Sequence, residues 1–226
     1  MAHLQSRGQD AGFVASTTLA FLSTVTSGSL LIAGTRVGGI TTTLAVSDDV
    51  NGAWTRTREQ DTVDDHSLFV DHFLNSGSGT VTVTCDPSGT PYVRWIIAEY
   101  SQIATSGALD QVNSATGNST SLASGNITTL QADETLICVG SVQADASFTP
   151  DADFTERQEI VLRVALEDRI VSATGTYQGT WSVSASSQWC CILASFKHAA
   201  AGGRTTKNTR AWPLGVEIGM GWQLPV

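Results

Sequence analysis

Residues 30–37 read Leu-Leu-Ile-Ala-Gly-Thr-Arg-Val, and residues 136–142 read Leu-Ile-Cys-Val-Gly-Ser-Val. Both are short apolar runs closed by small or polar residues, too short for helices and matched to strand length. Working outward, runs of the same kind recur at 13–21, 41–46, 67–74, 79–85, 92–100, 160–166, 169–173, 179–184 and 188–196. Turn-forming residues separate them, as in Asn75-Ser-Gly-Ser-Gly and Asp86-Pro-Ser-Gly. No long segment repeats apolar residues at the helical spacing i, i+3, i+4, i+7. The pattern predicts an all-β chain, an antiparallel β-sandwich or jelly roll.

The two opening stretches also begin an internal match. Gly79-Thr-Val-Thr-Val-Thr lines up with Gly179-Thr-Trp-Ser-Val-Ser, and Ile96-Ile-Ala-Glu-Tyr with Ile192-Leu-Ala-Ser-Phe. The three pairs keep one order, which predicts two related halves at about 12–103 and 116–198. The joint between them, Ser114 to Asn126, is rich in Ser, Thr, Gly and Asn. Residues 1–11 are set apart as an N-terminal arm, 12–198 as the body, and 199–226 as a tether and C-terminal arm.

The chain has 226 residues, of which 15% are charged, and a net charge of −9. Such a surface repels phosphate backbones and anionic lipid headgroups, so neither nucleic acid nor a membrane is an expected partner. The start of the chain lacks the basic region and apolar run of a signal peptide. Cys85, Cys138, Cys190 and Cys191 fit no zinc spacing and are read as buried, reduced thiols.

Catalytic signals are sparse. No Gly-x-Ser-x-Gly elbow occurs. His66 and His72 stand near Asp64, Asp65 and Asp71, the one place where a hydrolase dyad is conceivable. The same stretch holds Asp61, Asp64 and Asp65, weak calcium candidates, because hard cations need several carboxylate oxygens. A second acidic stretch, Asp145, Asp151, Asp153 and Glu156, departs from the EF-hand pattern. Glu99, Glu134, Glu159 and Glu167 are not paired on one face as a glycosidase requires. No enzyme, cofactor or resident metal is expected. Trp54, Tyr92, Trp95, Trp181 and Trp189 are candidates for stacking on sugars, with burial the competing expectation for Trp95 and Trp189.

Residues 98–110, Ala-Glu-Tyr-Ser-Gln-Ile-Ala-Thr-Ser-Gly-Ala-Leu-Asp, resemble a recurrent segment of a broad group of β-sandwich domains. So do Ala165-Leu-Glu-Asp-Arg-Ile-Val-Ser-Ala-Thr-Gly-Thr-Tyr, Thr180-Trp-Ser-Val-Ser and Ala194-Ser-Phe-Lys. The group occurs in structural proteins of tailed phages and in bacterial surface proteins, and the resemblance covers most of 12–198. It has glycine where this chain has Gln102. The resemblance implies a virion structural protein, a capsid decoration or surface component, assembled in the host cytoplasm. Its implied partners are a major capsid protein or neighbouring copies of the chain. The alternative is a carbohydrate-binding module of a tail fibre or bacterial surface protein.

One segment outside the resemblance has its own message. Trp212, Leu214, Val216, Ile218, Met220, Trp222, Leu224 and Val226 hold every even position from 212 onward, with Gly, Pro, Glu and Gln between them. Period two gives an extended strand one apolar face. These eight residues are the expected partner-docking face, suited to adding a strand to a neighbouring protein.

Overall fold

The computed structural model describes residues 3–40 and 42–200, and all regular elements among them are β-strands. In chain order the first nine are β1 (His3–Phe13), β2 (Thr17–Ala20), β3 (Leu30–Gly38), β4 (Leu44–Asp48), β5 (Gly52–Ala53), β6 (Thr55–Asp61), β7 (His66–Phe73), β8 (Thr82–Pro87) and β9 (Tyr92–Tyr100). Then follow β10 (Leu109–Thr128), β11 (Glu134–Val142), β12 (Phe148–Pro150), β13 (Thr155–Ile160), β14 (Val164–Val171) and β15 (Thr176–Lys197).

The strands pair antiparallel into sheets of order β1-β9-β3-β7-β6, β2-β8-β4-β5 and β10-β15-β11-β14-β13, with β12 added to β15. The first two enclose a core that includes Leu31, Ala33, Phe69, Val83, Trp95 and Ile97. In the third, β10 and β15 each run through two paired stretches. Residues 109–119 of β10 lie against 187–196 of β15, and 121–128 against 176–182. Each long strand thus covers the ground that β1 with β2, or β8 with β9, covers as two strands. This second sandwich encloses Leu136, Cys138, Trp181, Cys191 and Leu193.

The two five-strand paths face each other across a central core. Leu30, Ile32, Val70 and Tyr100 meet Val139, Leu166, Ile192 and Phe196 there. Strands β3 and β11 are therefore buried on both faces, which explains why their sequences are apolar without alternation. Adjacent Cys190 and Cys191 separate as strand geometry requires, the first to the central core and the second to the second sandwich.

Both β3 and β11 stand third in their paths. The ladder register corrects the sequence alignment by one residue. Gly34 lies opposite Ile96, while Val139, not Gly140, lies opposite Ile192. A one-residue slip exchanges the faces of a strand, so the matching glycines point to different cores. Gly34 marks the close approach of the sheets: a Cβ there would sit 2.9 Å from Val139 Cγ1.

Three other sequence expectations change. Residues 3–11 are not separate from the body: β1 is hydrogen-bonded to β9 from His3–Tyr100 to Phe13–Tyr92. Its half-buried polar side chains hid it, as ladder bonds rather than apolar content hold it in place. The joint at 114–126 lies inside β10 for the same reason. The run 160–166 is broken by a turn, with Val161 and Leu162 at φ 41° and 59°. Gln102 has φ 63°, the conformation that favours glycine.

Candidate functional site

The acidic stretch singled out in the sequence lies between the two five-strand paths. Loop 62–65 leads into β7, where Thr62 fixes the turn. Its hydroxyl receives the His66 backbone N–H at 2.9 Å and that of Asp65 at 3.2 Å. This aims the His66 ring across the seam at β11. His66 Nδ1 is 2.8 Å from Asp65 Oδ2, and His66 Nε2 is 2.8 Å from Ser141 Oγ. A carboxylate only accepts, so Nδ1 carries the proton and donates to Asp65; Nε2 accepts from the Ser141 hydroxyl. Arg36 completes the group, with Nη2 2.7 Å from Asp65 Oδ2 and Nε donating to the Val142 carbonyl at 3.1 Å.

Burial sets the electrostatics. It pushes the His66 imidazole down to about 4, more than the Asp65 carboxylate raises it, so the ring is neutral at pH 7. Burial likewise brings Arg36 down to about 10. Asp65 is held below the ordinary carboxylate range, first by its hydrogen bond with His66.

Serine, neutral imidazole and carboxylate stand in the order that activates a nucleophile. Yet Ser141 and His66 are both fully buried. An acyl group cannot reach Ser141 Oγ unless the sheets part. The arrangement works instead as a hydrogen-bonded clamp: His66–Ser141 and Arg36–Val142 tie the first sandwich to the second. At its rim Gln188 Nε2 donates to Asp64 Oδ1 at 2.6 Å.

The weak calcium candidates do not converge. Asp61 takes the Ser67 hydroxyl, Asp64 takes Gln188, and Asp65 takes Arg36 and His66. Among the described residues, no three His, Cys, Asp or Glu side chains form a group able to hold a metal. His72 pairs with Thr57, and Asp71 with Arg56. In the second acidic stretch Asp145 meets Arg163, Asp153 meets Arg169, and Asp151 accepts from Thr180. Glu99 is buried and accepts from Gln5, the Thr26 backbone and Ser29.

Of the sugar-stacking candidates, Trp54, Trp95, Trp181 and Trp189 are buried in the sandwich cores. Trp54 donates to Asp48, Trp95 to Gln9 and Trp189 to Ser119. Tyr92 alone of the five is half-buried. It meets Phe13 edge to face with 5.0 Å between ring centroids, and Phe13 is 75% exposed. Sequence reasoning missed Phe13, although it stands next to Gly12 at the end of a polar run. The eight docking residues from Trp212 to Val226 lie outside the described residues.

No protein family, curated protein or solved structure matches the chain.

Proposed function

We propose that this chain is a structural protein of a virion, a capsid decoration or surface component held by contacts with neighbouring subunits. The observation that carries the reading is the uninterrupted sequence alternation over 212–226, which would give an extended strand one apolar face, following a body whose catalytic-looking groups are sealed inside. Extended, those residues reach roughly 50 Å at about 3.3 Å each, enough to add a strand to another protein. The virion assignment itself rests on the resemblance of 12–198. Deleting residues 204–226 tests the reading. The truncated body is expected to stay soluble with a nearly unchanged Tm while losing assembly with its capsid. Unfolding or precipitation of the truncated monomer would assign the segment to its own core instead.

The carbohydrate-binding reading is favoured by one observation, the exposed Phe13 ring beside Tyr92. The Tyr92 hydroxyl reaches Asp10 at 3.2 Å, and Arg94 lies 4.0 Å over the Tyr92 ring. Exposed rings flanked by polar groups suit the faces and hydroxyls of sugars. A glycan array probed with the wild type and with Phe13→Ala decides it. Binding lost in the variant supports a module, and an array without signal removes that reading.

A further inference from the structure

Cys138 on β11 and Cys191 on β15 both face the interior of the second sandwich, and their sulfurs are 3.5 Å apart. Cys138 lies opposite Leu193 and Cys191 opposite Gly140, so the thiols are diagonal neighbours on hydrogen-bonded strands. Gly179 leaves the room that brings them together: a Cβ there would stand 2.4 Å from Cys138 Sγ. A disulfide needs about 2.05 Å between sulfurs and backbones within about 7 Å, whereas diagonal cross-strand neighbours ordinarily stand roughly 7–8 Å apart. Closing the pair therefore brings the sulfurs together by about 1.5 Å and draws β11 and β15 closer as well. Cys85 lies in the other sandwich and Cys190 faces the central core, so neither competes.

We infer that Cys138 and Cys191 are a latent intrachain disulfide, closed by a small-molecule disulfide of the glutathione class. The thiolate of one cysteine attacks the oxidant and releases one reduced thiol, leaving a mixed disulfide. The second cysteine then displaces the other thiol and forms the Cys138–Cys191 bond. Two electrons pass to the oxidant, and the two thiol protons leave with its two reduced halves. Burial raises the Cys138 thiol well above its ordinary range, so closure is slow and waits on opening of the sandwich. Once made, the bond ties β11 to β15 and locks the second sandwich. The inference is independent of the virion reading, because it concerns only the interior of the body.

The test uses the full chain, incubated at pH 8.5 with oxidised glutathione, then alkylated in denaturant and digested. The expected result is a mass loss of about 2 Da before alkylation. Two cysteines rather than four should then alkylate, with one peptide joining Cys138 to Cys191 and a higher Tm. Cys191→Ser should keep its mass apart from glutathione adducts. Four alkylated cysteines, a stable glutathione adduct on the wild type, or a bond through Cys85 or Cys190 would each overturn the inference.

Discussion

Two buried carboxyl groups, one in each sandwich, are held in opposite ways. In the first, Asp71 on β7 lies opposite Arg56 on β6, and Arg56 Nε is 2.7 Å from Asp71 Oδ1. In the second, Glu167 on β14 lies opposite Glu156 on β13. Each buried carboxyl stands one residue along from the close approach of the sheets, since Val70 lies opposite Gly34 and Leu166 opposite Val139. Burial raises both carboxyls, Asp71 to about 6 and Glu167 to about 8. Arg56 opposes the rise at Asp71, whereas the Glu156 charge adds to it at Glu167. One sandwich therefore keeps an ion pair, and the other keeps a carboxylic acid. A buried strand position accepts either, because apolar neighbours fix the fold and the polar position needs only some way to avoid a bare buried charge.

The largest expected effect is on Glu167. Its folded value lies above the ordinary carboxylate value, so its stabilisation is complete below about pH 4.5 and is lost as pH rises toward 8. The upper bound over that window is about 5 kcal/mol at 1.36 kcal/mol per unit. Urea unfolding from pH 4.5 to 9 should show a slope that Glu167→Gln flattens. Glu156→Arg should flatten it too, by building the first sandwich's pair in the second. A pH profile unchanged in both variants would mean that Glu167 is not the acid the comparison requires.

His66 has the opposite sign. Its folded value, about 4, lies below the ordinary 6.5, so its stabilisation is present above 6.5 and is lost as pH falls toward 4. Up to about 3 kcal/mol is involved, and His66→Gln should remove that acid limb. A limb of equal size in the variant would place the acid sensitivity elsewhere. Next, Arg56→Met leaves Asp71 buried without its cation and should cost about 2 kcal/mol at pH 7, less than a fully buried pair because Arg56 is partly solvated. The matching Glu156→Met should cost less than about 0.5 kcal/mol. Equal losses in chemical denaturation would erase the contrast. The smallest effect concerns the thiols. All four cysteines are free and buried, so adding reductant to freshly purified protein should leave Tm unchanged in both sandwiches. A drop of several degrees would show a bond already made.

The strands buried on two faces were legible from residues 30–37, 92–100, 136–142 and 188–196, where apolar density announces them. Strands β1 and β10 were not, because partly solvated strands can be polar and rest on ladder bonds that leave no mark in composition. The glycine match of 34 with 140 misled by one residue, since identity of side chain is weaker evidence than register. The site shows the same division. Asp65 and His66 were visible as neighbours, but Ser141 is 75 positions from His66 and enters only through the packing of the two sandwiches. Two aromatic residues chosen for sugar contact, Trp54 and Trp181, proved to be core like Trp95 and Trp189, whose burial the apolar strands announced, because a ring in a short strand reads alike whether it faces water or a second sheet.

Strand β15, at 22 residues the longest among those described, ends at Lys197. It is flanked by β10 on one side and β11 on the other. In antiparallel ladders the hydrogen bonds run perpendicular to the strands. A pull on the chain end along β15 therefore loads its bonds together, in shear, instead of peeling them one at a time. Mechanically, the body presents its following segment from a rivet rather than a zipper.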